Sequence, residues 1–374
     1  MRKLISIKYN NQITIVNKII EYNLQERVYI PINNLTKEYK INDYLYKYED
    51  VGNYFLPISG FYRGISFKVK NQEETKCLVI ENDFKENVLS KVTKDSISNI
   101  EELKKVLKKY KLQSILNKIE SITNINNLVI STIDEERYSH KEFMCLTTHY
   151  HALLKTLDLL NNVLKVEKST MVVKNTFSNA IKNIKSLLGT YLNITINLVP
   201  DKYLISYPIF LCEYLNYDYN TTLVLTTNEL YALHRALMGR ILSSQLITIS
   251  GDAIEKGVVI NTKIGTSLKD LLKEHIVFKT KEYDIYVNGL IKGYLLGKEE
   301  DLVIDESVDY VVIQKKENKV ISECINCGVC NKVCPMNINV KKYRELKRVS
   351  KKCLKCGLCT YFCPSNIKSS SKEG

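Results

Sequence analysis

The residues best suited to chemistry lie near the C-terminal end of this 374-residue chain, where one cysteine frame is written twice. CINCGVCNKVCP begins at Cys324 and CLKCGLCTYFCP at Cys353, and both read Cys-x-x-Cys-x-x-Cys-x-x-x-Cys-Pro. That run is the ligand pattern of paired cubane iron–sulfur clusters. Three cysteines two residues apart wrap one tight turn around a corner of a cube, and the fourth points away to serve the other cluster. The spacing therefore predicts one [4Fe-4S] cluster on Cys324, Cys327, Cys330 and Cys363, and a second on Cys353, Cys356, Cys359 and Cys334. Gly328 and Gly357 fall inside the turns, and Pro335 and Pro364 carry the chain out of them. A structural zinc site competes for the same residues, but zinc ribbons and fingers use separated Cys-x-x-Cys pairs rather than two runs of four. Ile325, Val329, Val333, Leu354, Leu358 and Phe362 recur between the ligands and are expected to keep water from the clusters. Two clusters with crossed ligands lie close together and move single electrons between docking surfaces; no catalytic residue is expected in the module itself.

Composition sets the context. Eleven cysteines would suggest disulfides in a secreted chain, but clusters claim eight, and clusters need a reducing compartment. Cys77, Cys145 and Cys212 remain and read as buried thiols. The formal charge of +13 counts cysteines as neutral. With eight thiolates and two oxidised cores loaded, the net charge is about +9. Lysine is spread through an Ile/Asn/Lys-rich sequence, which argues against a nucleic-acid footprint. Between the cysteine frames, however, Lys341, Lys342, Arg344, Lys347, Arg348, Lys351, Lys352 and Lys355 face a single acid, Glu345. This basic stretch either offsets the negative clusters or forms a docking face for an acidic electron-carrier protein. No apolar run of about 18 residues occurs, and MRKLISIKYNNQ lacks the pattern of a signal peptide, so a cytoplasmic protein without a membrane span is expected, at most peripheral to the inner face of a membrane through partner subunits.

The elements that must position the cysteines alternate along the chain. Residues 1–90 are rich in β-branched and aromatic residues and read as short strands, with alternation at Val28 to Ile32 and Gly64 to Val69. From 98 to 242 helices and strands alternate: a helical stretch from Ile100 to Ile119, a strand at Leu128 to Ser131, and leucines at helical spacing from Leu153 to Leu164. A strand follows at Thr170 to Val173, then a helix marked by Phe177, Ile181, Ile184 and Leu188 and stopped at Gly189, a strand from Tyr191 to Val199, and a helix from Asn228 to Met238 capped by Thr227. This is an α/β layer around a mostly parallel sheet. Asp134, Glu135 and Glu136 read as a solvated loop or helix start, and Cys145, His149 and His151 as ordinary core and surface residues without a further ligand nearby. Residues 246–316 give strand, Gly251-Asp252 turn, strand, and a short helix entered at Gly265-Thr266-Ser267. The dicluster module occupies 320–367, and 368–374 is expected to be a disordered tail.

Several of these segments resemble the C subunit of the Rnf electron-transport complex. Ile30-Pro31, Asn42-Asp43 and Ser59-Gly60 are similar to the turns of its N-terminal barrel-sandwich domain, with no lysine at the Ser59-Gly60 turn to carry a lipoyl arm. IDEERYSHKEFM stands where the flavin-binding domain shared with respiratory complex I has Glu-x-Glu-Pro-Tyr, keeping Glu136 and Tyr138 but placing Arg137 at the proline. Tyr207-Pro208 is what remains of a second family loop, and the Gly251-Asp252-Ala253 and Ile264-Gly265-Thr266 segments, with Asn288-Gly289 and Gly293, resemble the β-grasp domain called SLBB. The family's Gly-Gly-x-Gly-Phe-Pro cradle for FMN phosphate is absent, since no glycine occurs between Gly64 and Gly189. The resemblance implies a multidomain α/β protein: an N-terminal β barrel-sandwich, a central α/β nucleotide-binding-like domain, a β-grasp domain and a C-terminal ferredoxin-like dicluster module. It implies two [4Fe-4S] clusters, with neither FMN nor NAD expected, and relay of electrons between a ferredoxin or flavoprotein donor and a partner reductase or membrane complex. The electron-transfer protein accompanying D-proline reductase in amino-acid-fermenting anaerobes is a relative of this kind. Two rivals stay open: an NADH-oxidising subunit with an atypical FMN site, and a structural adaptor of a redox complex.

Overall fold

The computed structural model describes residues 4–7, 14–32, 37–89, 93–317 and 321–367. The expected disordered tail, 368–374, lies outside these residues. The described chain is a mixed α/β protein with several sheets and the cysteine-rich module at its C-terminal end.

An antiparallel sheet near the N-terminus is ordered Arg27–Pro31, Glu73–Asn82, Gly60–Lys70, Tyr44–Leu45. Alternation along its strands turns Val28, Ile30, Leu78 and Ile80 into a core shared with Leu56 and Ile58. The strand Ile15–Tyr22, grouped by its position with this N-terminal β region, pairs elsewhere: it runs parallel to Gly257–Lys263 at the edge of a six-stranded sheet. Local alternation specifies a strand but not its partner, and partner choice here is settled by contacts over 200 residues away in sequence.

The central sheet is wholly parallel, ordered Ile194–Val199, Ser169–Lys174, Asn127–Ser131, Thr222–Thr226. Helices Ile100–Lys109, Gln113–Glu120, Lys141–Leu164 and Thr227–Leu237 pack on it through Leu103, Leu107, Leu116, Leu153, Leu157 and Leu233. Local boundaries differ from the sequence expectations for identifiable reasons. The stretch from Ile100 to Ile119 is two helices, because Lys111 takes a left-handed φ of 57° between them. The last helix is capped by Thr226 rather than Thr227, since Thr226 and Glu229 form a reciprocal capping box. The single helix expected around Phe177 to Leu188 is a short α-helix, Lys182–Leu187, between two 3-10 turns, the second of which includes Gly189. The strand expected from Tyr191 starts at Ile194, after that turn.

The six-stranded sheet runs Ile15–Tyr22, Gly257–Lys263, Ser244–Ser250, Tyr310–Lys315, Tyr283–Val287, Tyr294–Leu296, and carries the helix Leu268–His275 on one face. Asn288 to Gly293 connects its last two strands and reaches toward the cysteine module. Among the described residues, no helix is long and apolar enough to cross a membrane.

Candidate iron–sulfur site

The two cysteine frames fold alike. Each has a glycine with left-handed φ, 71° at Gly328 and 76° at Gly357, that turns the chain into a one-turn helix, Val329–Lys332 or Leu358–Tyr361. These helices pack side by side, so the fourth cysteine of each frame is delivered beside the first three of the other. Two cavities result. One is lined by Cys353, Cys356 and Cys359 together with Cys334. The other is lined by Cys324, Cys327 and Cys330 together with Cys363. Four thiols converging on a small apolar-walled space suit a cubane cluster, and none of the four in either set is tied up in a disulfide.

Their surroundings differ. Cys356 is buried and sits in an apolar cluster with Tyr203, Leu204, Phe210, Ile291 and Leu358. The Tyr203 hydroxyl donates to the Cys356 carbonyl at 2.8 Å. Burial pushes the Cys356 thiol up to about 11 and raises that of Cys359 as well. Cys324 and Cys327 are exposed. The backbone N–H of Asn326 and then the Arg344 guanidinium, which donates to Cys324 Sγ at 3.0 Å, hold the Cys324 thiol below the usual range. The set around Cys356 is therefore an inner site and the set around Cys324 an outer one. Of the apolar spacers, Leu358 is fully buried, Leu354 and Phe362 are half-buried and Ile325 is 65% exposed, so the expected exclusion of water is met at Leu358 and fails at Ile325.

Sulfur accepts backbone hydrogen bonds at Cys334, from Ile338 N–H, and at Cys353, from Lys355 N–H, both at 3.4 Å. In the basic stretch, Arg344 and Lys341 line the outer cavity and Arg348 and Lys355 the inner one, while Lys342, Lys347, Lys351 and Lys352 are exposed to solvent. Lys341 also reaches Glu345 at 3.8 Å.

The acidic cluster corrects its sequence reading. Asp134 and Glu136 are buried rather than solvated. Asp134 accepts the Glu142 and Phe143 backbone N–H groups at the start of the helix Lys141–Leu164 and the Ser139 hydroxyl, which is the helix-start half of that expectation. Glu136 instead accepts the N–H groups of Leu290 and Ile291, from the connection of the six-stranded sheet, and Glu135 pairs with Lys292. These partners lie about 150 residues away, beyond any local sequence signal. A cleft opens beside them at the C-terminal ends of the parallel strands, between Ser131, Thr226, Tyr207, Lys292 and Tyr310. Its charges largely answer one another, Lys141 pairing with Asp309 and Lys292 with Glu135. Cys145 is buried in the core, and His149, at a kink in its helix, stacks on Tyr231 at 3.9 Å. Tyr203 and Ile291 carried no signal in the sequence; only their packing on Cys356 marks them.

Comparison with known proteins places the cysteine frames in a known domain. Residues 323–367 match the 4Fe-4S dicluster domain family. The chain is thus an iron–sulfur protein of the electron-transport class. It is Rnf C-like: over 225 residues it is 21% identical to the C subunit of the ion-translocating oxidoreductase complex of Erwinia tasmaniensis, a match covering 56% of this chain and 28% of that relative. The chain therefore matches little more than a quarter of its relative's length. Its fold is similar to that of a chain of NAD+-reducing [NiFe]-hydrogenase in the H2-reduced state, with a TM-score of 0.53 at 13% identity over 71% of this chain and 60% of that one. The air-oxidised form of such a hydrogenase aligns over 59% of this chain and 47% of that one at 13% identity, with a TM-score of 0.49.

Proposed function

We propose that this protein relays single electrons through two [4Fe-4S] clusters within a multi-subunit oxidoreductase. Cys353, Cys356, Cys359 and Cys334 hold the inner cluster; Cys324, Cys327, Cys330 and Cys363 hold the outer one. The observation that carries the reading is the convergence of each cysteine trio with the other frame's fourth cysteine on its own cavity. In this arrangement the clusters supply the redox chemistry. The protein supplies thiolates, a dry wall at the inner site, and hydrogen bonds to sulfur that favour the more reduced, more negative state.

An acidic carrier, a ferredoxin or a flavoprotein, docks at the outer face, where Lys341 and Arg344 line the site and Lys342, next in the chain, is exposed. Electrons pass to or from a partner reductase or membrane complex, to which the protein attaches peripherally from the cytoplasm. The sheet built on Arg27–Pro31 and Glu73–Asn82 is the barrel-sandwich unit, and the six-stranded sheet with its helix Leu268–His275 is the β-grasp unit. No flavin is bound. The cleft beside Glu135 lacks a glycine cradle for phosphate, and its internal ion pairs leave little uncompensated positive charge for one.

Anaerobic purification with iron, sulfide and flavin quantified together tests the proposal. About eight iron and eight sulfide per chain without flavin are expected. Four of each contradicts two clusters, stoichiometric FMN favours the NADH-oxidising reading, and reducible clusters that exchange electrons with no partner favour the structural adaptor.

A further inference from the structure

Glu136 is 1% exposed, and its two side-chain oxygens accept the backbone N–H groups of Leu290 and Ile291, each at 3.1 Å. The approach is close. A Cβ on Gly289 would lie 2.2 Å from Glu136 Oε1 and 2.3 Å from the Tyr310 hydroxyl. The far side of the same loop meets the inner cysteine turn: the Ile291 carbonyl occupies the space a Cβ on Gly357 would need, 2.0 Å away. Ile291 also packs with Cys356 and Leu358. The connection from Asn288 to Gly293 thus has the Glu136 carboxyl on one side and the inner site on the other.

We infer that Glu136 is a positioning residue for the inner iron–sulfur site. By fixing the N–H groups of Leu290 and Ile291 it sets the seat on which the turn from Cys353 to Cys359 rests. Tyr203 holds the same turn through the Cys356 carbonyl. The potential of a cluster depends on its hydrogen bonds, apolar cover and solvent access, and all three change if this seat moves. The outer site touches neither residue, so the effect is selective. The inference rests on the two-cluster reading and assigns to one carboxyl the control of one of the two clusters.

The test uses the full chain, purified anaerobically as wild type, Glu136→Gln, Glu136→Ala and Tyr203→Phe. Iron and sulfide content judges the cluster reading separately: four iron in the wild type defeats that reading whatever Glu136 does. With eight iron present, redox titration followed by electron paramagnetic resonance reads each cluster, the inner signal being the one lost in Cys356→Ala. Glu136→Ala is expected to shift the inner potential and line shape while the outer signal stays in place. Glu136→Gln, which keeps one accepting oxygen, lies between, and Tyr203→Phe moves the inner signal alone. Hydrogen exchange supplies a readout that survives poor folding of the alanine variant. In Glu136→Gln, segments 289–293 and 353–359 both exchange about tenfold faster, as loss of a buried hydrogen bond implies, and 324–330 does not change. Faster exchange at 289–293 with an unmoved inner signal and unmoved 353–359 overturns the inference, as does an equal shift of both clusters.

Discussion

The Tyr203 hydroxyl meets the Cys356 carbonyl at 2.8 Å, joining the central α/β body to the middle of a cysteine turn 153 residues further along the chain. Gly328, the counterpart of Gly357 in the other frame, would meet nothing within 4 Å if it carried a Cβ. A sequence repeat that is nearly symmetric is therefore embedded asymmetrically. One half is fastened to the protein and the other is presented to solvent.

The proposed crossed ligation predicts how damage spreads. Cys334→Ala removes a thiol from the cavity lined by Cys353, Cys356 and Cys359. The inner cluster signal should fall while the outer one persists, although the mutated residue belongs to the outer cluster's own sequence frame. Iron content and paramagnetic resonance of the reduced protein check this, and selective loss of the outer signal contradicts it.

The paired glycines separate backbone strain from contact. Alanine at either position carries the left-handed penalty of about 1–2 kcal/mol, because φ is 71° at Gly328 and 76° at Gly357. Only at Gly357 does the new methyl also collide with a backbone carbonyl, that of Ile291. Gly357→Ala should therefore lower the anaerobic melting temperature more than Gly328→Ala and release iron from the inner site. Equal losses in the two variants contradict the seat described above.

The exposed lysines near the outer site should steer an acidic carrier. Replacing Lys341, Lys342 and Lys347 by Glu leaves Arg344 on Cys324 Sγ and should leave both clusters assembled. It should slow electron uptake from a ferredoxin, and the wild-type rate should fall as salt shortens the screening length below about 10 Å at 0.1 M. Stopped-flow reduction across a salt series measures both. If the lysines only offset cluster charge, the variant changes potentials or cluster stability and the wild-type rate is independent of salt.

Glu136 should leave a signature in the pH dependence of stability. Burial pushes its carboxyl from 4.5 up to about 7, against the opposing pull of the Ile291 and Leu290 N–H groups. A carboxyl whose folded value is raised favours folding most while protonated, so its contribution is full below about 4.5 and is lost as pH rises through about 7. Glutamine cannot ionise. The stability of the wild type relative to Glu136→Gln should fall across that window by on the order of 3 kcal/mol, measured by anaerobic denaturation at several pH values. A difference that is flat with pH contradicts the assignment.

The dicluster frame was legible in the sequence because its spacing is a local property: a few bonds between sulfurs allow few geometries, and repetition of the frame implies a pair. The parallel sheet was legible because helical and strand periods alternate within short windows, as from Leu128 to Val199. What depended on distant partners was not. Ile15–Tyr22 reads as a strand wherever it pairs, and only the folded chain sets it against Gly257–Lys263. Asp134, Glu135 and Glu136 read as a solvated loop or a helix start because their local composition is polar. Tertiary structure buried Glu136 by bringing to it two backbone N–H groups that the turn at Asn288 and Gly289 leaves free of the strand ladder. The two cysteine frames are equivalent as sequence. They became inner and outer sites because Tyr203 and Ile291 cover one of them, and that choice depends on surfaces that meet only after the chain has folded.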